Sequence, residues 1–221
     1  MKITSIQQQK KNPERVSIFL DDKFAFGLDS KFLVDFDLFK DKELGEQDIG
    51  KIVRKDLGEK IKSRVLNLIA RRPRSEKEIR DYIERKFYEG KFDVEDQYRE
   101  NLVESVIEPL KEYKYVDDEA FARWYVNNRV EFKPRGKRVL KVELKLKGIS
   151  DDIISTVLSF EDGAELEMAN RLAEKKLRTL SRLDESKQRE KLIAFLQRKG
   201  FGWDVISSVT VSYTHLTLPT N

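Results

Sequence analysis

KGISDDIISTVL, residues 147–158, and KGFGWDVISSVT, residues 199–210, decide how this chain is read. Set 52 residues apart, they share Lys-Gly, an apolar residue, an Asp, and the run of branched apolar residue, Ile, Ser, Ser or Thr, Val. Lys-Gly followed by an amphipathic dozen describes a helix ending on glycine, which serves as a C-cap, with another short helix directly after it. A weaker third copy lies upstream. Pro73-Arg74-Ser75 precedes Lys86-Phe87 by the distance at which Pro134-Arg135-Gly136 precedes Lys147-Gly148. LVESVI, residues 102–107, then takes the part of the helix after Gly148, behind an insertion that contains FYEGKFDVEDQ. The copies are expected at 60–114, 115–161 and 162–210, three helices in each. A single unit of that size has a marginal core, so stacking into an array with a curved, concave face is the expected solution.

The first part of the chain has a different period. In ERVSIFLDDKFAFGL, apolar Val16, Ile18 and Leu20 alternate with polar residues, as do Phe24 and Phe26 after Asp21-Asp22-Lys23. Period two on both sides of a short polar break predicts a β-hairpin. SKFLVDFDLF and EQDIGKIVRKD read as helical, with a break at Gly45, so residues 1–56 are expected to form a hairpin-plus-helix unit. Beyond Asp56 the pattern is helical, with Pro73, Pro109 and Pro134 expected at helix ends. Ser75-Glu76-Lys77-Glu78 is a capping-box pattern, and Ser150-Asp151-Asp152 opens another helix with acids on its dipole. The fold class expected is mainly α, tandem three-helix repeats in a curved array behind a small β-hairpin/helix N-terminal unit.

The composition narrows the function. No cysteine is present and His215 is the only histidine among 221 residues, which removes thiolate chemistry, disulfides and the usual general base and metal ligand from the body of the chain. No apolar run reaches membrane-span length and the N-terminus lacks a signal-peptide core, so a cytoplasmic protein is expected. Glycines form no phosphate-cradling loop. Asp117-Asp118-Glu119 has the residues of a cation site, but a helix N-terminus explains them more simply. Phe121, Trp124 and Tyr125 have the chemistry to stack on bases, yet at helical spacing they read as core, as do Leu102, Val106 and Leu110. No catalytic residue, metal or cofactor is expected.

Charge is segregated along the chain. Residues 92–119 hold ten acids against three bases, residues 120–150 nine bases against two acids, and residues 170–200 ten bases against four acids. The densest basic stretch is FKPRGKRVLKVELKLKG. Lys137, Lys141 and Lys145 fall at i, i+4 and i+8 on one helical stripe with Arg138 beside them, while Leu140 and Leu144 occupy a neighbouring stripe that faces a core. Lys133, Arg135 and Arg138 crowd the helix start, where cations oppose the dipole and so point to an anionic partner. Arg71, Arg72 and Arg74 repeat the arrangement more weakly. A solvated basic face remains the alternative explanation of all these cations.

RPRSEKEIRDYIERKF, LKEYKYVDDEAFARWYVNNR, KPRGKRVLKVELKLKGISDDII and LIAFLQRKGFGWDVI together resemble the RecX family, small bacterial regulators of the RecA recombinase. The resemblance covers residues 60–210, and the longer N-terminal unit is similar to that of Gram-positive members. It implies tandem three-helix repeats without catalytic activity, acting on the RecA filament on single-stranded DNA and so on recombination, DNA repair and the SOS response. It implies a binding set of Arg71, Arg72, Arg74, Lys133, Arg135, Lys137, Arg138 and Lys141, and a chain that works as a monomer. A stand-alone nucleic-acid-binding helical module is the alternative. The first copy departs from the pattern, with Lys86-Phe87 where Lys-Gly is expected.

The last eleven residues, VSYTHLTLPTN at 211–221, carry no Asp, Glu, Lys or Arg. They match one translated frame of a transposon mosaic-end sequencing adapter. The native product is therefore expected to follow this chain to about Val209, and His215 carries no functional argument.

Overall fold

The computed structural model describes residues 1–92, 94–159 and 162–216, except for the side chains of 162 and 213–216. Of the adapter-like tail, residues 211–216 are among the described residues and 217–221 lie outside them. The chain divides into two compact units, Met1–Arg72 with Ile79–Tyr115, and Pro73–Glu78 with Val116–Asn221.

The first unit opens with three antiparallel strands in the order β1 (Ile3–Gln9), β2 (Asn12–Leu20) and β3 (Lys23–Asp29). The expected hairpin is β2–β3. Asp21 and Asp22 turn it at φ 48° and 63°, a left-handed pair that short polar side chains tolerate and that matches the twist of the strands. β1 lacks an apolar period and escaped the sequence reading. It pairs along β2, and of its residues only Ile3 is fully buried. Val16, Ile18, Leu20, Phe26 and Leu28 face one core with Phe32, Leu38, Leu44 and Ile52.

The segment SKFLVDFDLF forms only the short helix α1 (Lys31–Asp35), because Asp37 takes φ 50° and stops it. Gly45 then caps α2, which runs without interruption over Glu46–Ile69. The division expected between residues 56 and 60 lies inside this helix, since nothing there breaks it. Arg15 clasps Asp56 of α2 with two bonds of 3.2 and 2.8 Å, and the Asp29 amide donates to the same carboxylate at 2.8 Å. α3 (Glu76–Tyr88) and α4 (Asp96–Glu112) follow, and α4 buries Leu102, Val103, Val106, Ile107 and Leu110 as its spacing predicts. Pro109 lies inside α4, close to its C-terminal end. It sits in the last turn of α4, where its missing N–H forfeits one bond to Ser105, while its carbonyl still accepts from the Tyr113 amide at 3.1 Å.

In the second unit, α5 (Asp118–Phe132), α6 (Lys137–Leu146) and α7 (Asp151–Val157) enclose Phe121, Ala122, Val126, Leu140, Leu144, Ile149 and Ile154. α8 (Asp162–Arg178), α9 (Glu185–Lys199) and α10 (Trp203–Leu216) enclose Met168, Ala169, Ala173, Leu192, Leu196, Phe201, Ile206 and Val209. The 52-residue match is therefore structural: Ile149 and Phe201, Ile154 and Ile206, and Val157 and Val209 are all buried. Thr210 is buried where Leu158 is, and its hydroxyl is satisfied by the Ser207 carbonyl at 3.0 Å. The acidic run beside α5 is a helix start. Asp117 accepts from the Glu119 and Ala120 amides at 3.0 Å each.

Candidate functional site

Two junctions of similar design bring together several of the basic residues of the second unit. In both, the start of one helix lies against the glycine that ends the corresponding helix of the next copy. Gly148, at φ 81°, lies so near Lys77 that a Cβ built on it would meet the Lys77 Cβ at 2.6 Å. Gly200, at φ 89°, stands against Val139, where a Cβ would meet Cγ2 at 2.5 Å. The second junction is tied by backbone bonds from the Gly136 amide to Lys199 O at 2.9 Å and from the Arg138 amide to Gly200 O at 3.2 Å. A carboxylate from the next copy takes the first free amide of each helix. The Glu76 amide donates to Asp118 at 2.8 Å, and the Lys137 amide to Glu165 at 2.9 Å. Glu165 is buried, and helix N-termini supply the donors that make such burial tolerable.

The charged side chains differ between the two junctions. At the first, Glu78 stands between two cations, 2.5 Å from Lys147 Nζ and 4.0 Å from Arg74. At the second, Pro134-Arg135 matches Pro73-Arg74 and Lys199 matches Lys147, but Val139 stands where Glu78 is. Arg135 and Lys199 are half-buried and make no ion pair among the described residues. The Arg135 Nε is buried without a hydrogen-bond partner, as is the Arg74 Nε at the first junction. Burial, and then repulsion from Arg135, hold the Lys199 ammonium below its ordinary value.

The stripe expected on α6 is present, with Leu140 and Leu144 fully buried behind it. It is partly neutralised from within. Asp151 lies 2.9 Å from Lys145 and 4.0 Å from Lys141, and the hydrogen bond from Lys145 draws the Asp151 carboxyl below its ordinary range. Lys137 reaches Glu165 at 3.9 Å. Lys133 and Arg138 are exposed, and neither has an acid within ion-pair distance among the described residues. Arg71 and Arg72 fall in the turn after α2 and belong to the first unit, whereas Arg74 belongs to the second. The sequence reading missed Asp151 and Glu165 as counter-ions and Lys199 as a junction cation, although Lys199 belongs to the repeated Lys-Gly. Phe121 is buried, and Trp124 and Tyr125 pack half-buried beside it. Among the described residues no group of His, Cys, Asp or Glu has the arrangement of a metal site, and no helix is long and apolar enough to cross a membrane.

The fold and its junctions define a class, helical proteins of tandem three-helix units that follow a small sheet-bearing unit. Family profiles divide the chain in the same terms: the regulatory protein RecX N-terminal domain over residues 1–45, and its first, second and third three-helix domains over 62–91, 117–158 and 164–210. The chain belongs to the RecX family of regulatory proteins. It is 40% identical over 207 residues to the regulatory protein RecX of Bacillus licheniformis and 39% over 209 residues to that of Bacillus subtilis, covering 93% of this chain and 75% of each relative. A crystal structure of regulatory protein RecX superposes with a TM-score of 0.70 at 28% identity, over 94% of this chain and 98% of the other. That of RecX from Lactobacillus salivarius gives 0.61 at 25% identity, over 73% and 99%.

Proposed function

We propose that this chain is a non-enzymatic regulator that binds the RecA filament on single-stranded DNA and holds down its recombinase activity. The observation that carries the reading is the cationic stretch from Lys133 to Lys141, which runs from the end of α5 into α6 and is incompletely neutralised by its own acids, in a chain of the RecX family. A nucleoprotein filament presents a dense array of phosphates, and exposed cations held on one helix edge suit such a surface. Arg71, Arg72, Arg74, Lys133, Arg135, Lys137, Arg138 and Lys141 are the proposed contact set.

The test is a RecA strand-exchange and ATPase titration, with a Lys137/Arg138/Lys141→Ala triple variant in parallel. The expected result is loss of strand exchange with rising wild-type protein and at least tenfold more triple variant needed for the same effect. Unchanged ATPase and strand exchange at saturating wild-type protein would sink the proposal. Tight, salt-steep DNA binding without any effect on the filament would assign the chain to stand-alone nucleic-acid binding instead.

A further inference from the structure

We propose that the junction of Arg135 with Lys199 is a receptor for one phosphate group of single-stranded DNA, seated where the matching junction carries the carboxylate of Glu78. The repeat within the molecule supplies its own control. At Arg74 and Lys147 the fold places an arginine and a lysine on either side of one anion, Glu78, at 4.0 and 2.5 Å. At Arg135 and Lys199 it rebuilds the same pair of cations on the same Pro-Arg and Lys-Gly frame and leaves out the anion, because Val139 holds that position. The backbone bond from Gly136 to Lys199 O fixes the two cation-bearing segments side by side.

Two cations brought together half-buried, with no anion between them among the described residues, repel each other in the unliganded state. An oxyanion bound between them offsets that repulsion. Arginine offers the planar fork that suits phosphate and carboxylate alike, and lysine adds a point charge. The neighbourhood decides between the two ligands. Lys133 and Arg138 flank Arg135 without acid partners among the described residues, and a row of cations is matched by successive phosphates better than by a single carboxylate. This deepens the binding reading above, adding a particular contact to it.

Four proteins distinguish the outcomes: wild type, Val139→Glu, Val139→Gln and Arg135→Gln. Val139→Glu installs the missing anion and Val139→Gln controls for its size. Binding of a short labelled oligothymidylate is followed across a salt series with no recombinase present, and thermal unfolding is followed with and without inorganic phosphate. Val139→Glu and Arg135→Gln should each flatten the salt slope by about 0.7, the value of one single-strand phosphate contact. Val139→Glu should also abolish the rise in Tm that phosphate gives wild type, and Val139→Gln should keep both responses. Equal slopes and equal phosphate responses in Val139→Glu and Val139→Gln would overturn the site. A phosphate response that changes while the DNA slope does not overturns the nucleic-acid assignment in favour of a free phosphate. If neither changes the site is overturned, and loss of filament inhibition by Val139→Glu in a separate strand-exchange titration would assign the occupant to a carboxylate of the protein partner. Because the recombinase is absent from both readouts, failure of the regulatory proposal leaves this test standing, and the reverse holds equally.

Discussion

Gly148 shows how much a single residue carries here. Its φ of 81° favours glycine, and the space where a Cβ would sit is already taken by Lys77. Gly148→Ala should therefore destabilise the protein by roughly 1–3 kcal/mol, measured by denaturant unfolding, as strain and overlap act together. A loss no greater than that of an exposed helix substitution would contradict the close approach. From the sequence, Lys-Gly was legible as a helix end and nothing more. A C-cap glycine is required by its own helix, whereas the requirement at Gly148 and Gly200 also comes from a neighbour, and one-dimensional pattern carries no sign of that. Glu78 was hidden for the same reason. It read as the third residue of a capping box, and Ser75 does accept from the Glu78 amide at 3.2 Å. Its carboxylate nevertheless reaches Lys147, sixty-nine positions away.

At the scale of elements, periodicity did most of the work and failed where packing replaces it. α6 and α4 were readable because an apolar stripe marks their buried faces. β1 was not readable, since a strand that leaves most of its residues partly open to water has no need to alternate. The unbroken length of α2 was missed because its role changes midway. Its first half packs on the sheet through Ile52 and its second half buries Ile61 and Val65 against other helices. Joining those roles is the Arg15–Asp56 pair, with side chains 24% and 10% exposed. Such a pair stabilises little over an apolar substitute, but losing one partner strands the other charge. Asp56→Ala should cost about 3–5 kcal/mol, as Arg15 and the Asp29 amide both lose their acceptor. The same loss in the double variant Arg15→Met/Asp56→Ala as in the single one would show that the stranded charge is not the cause.

At the scale of the whole molecule, the segregated charge blocks were legible from composition, but their effective charge was not, because many bases are matched by acids from distant segments. The exposed ion pairs, such as Lys31–Glu59 and Arg123–Glu119, contribute little to stability. Stability and binding should therefore respond differently to salt. Raising ionic strength from about 0.1 to 1 M, which shortens the screening length from ~10 to ~3 Å, should move Tm little while weakening filament binding steeply. A fall in Tm as steep as the fall in binding would mean that ion pairs hold the fold, not its apolar cores. The departure noted in the first copy also has its explanation in the whole. α3 does not end at Lys86-Phe87. It runs on to Tyr88, and the glycine after it is Gly90, left-handed at φ 64° with nothing within 4 Å of a built Cβ. The three copies thus carry one unoccupied glycine and two occupied ones. Lys-Gly in this chain records contacts in the manner of a socket that records its plug: within the second unit Gly148 receives the start of α3 and Gly200 the start of α6.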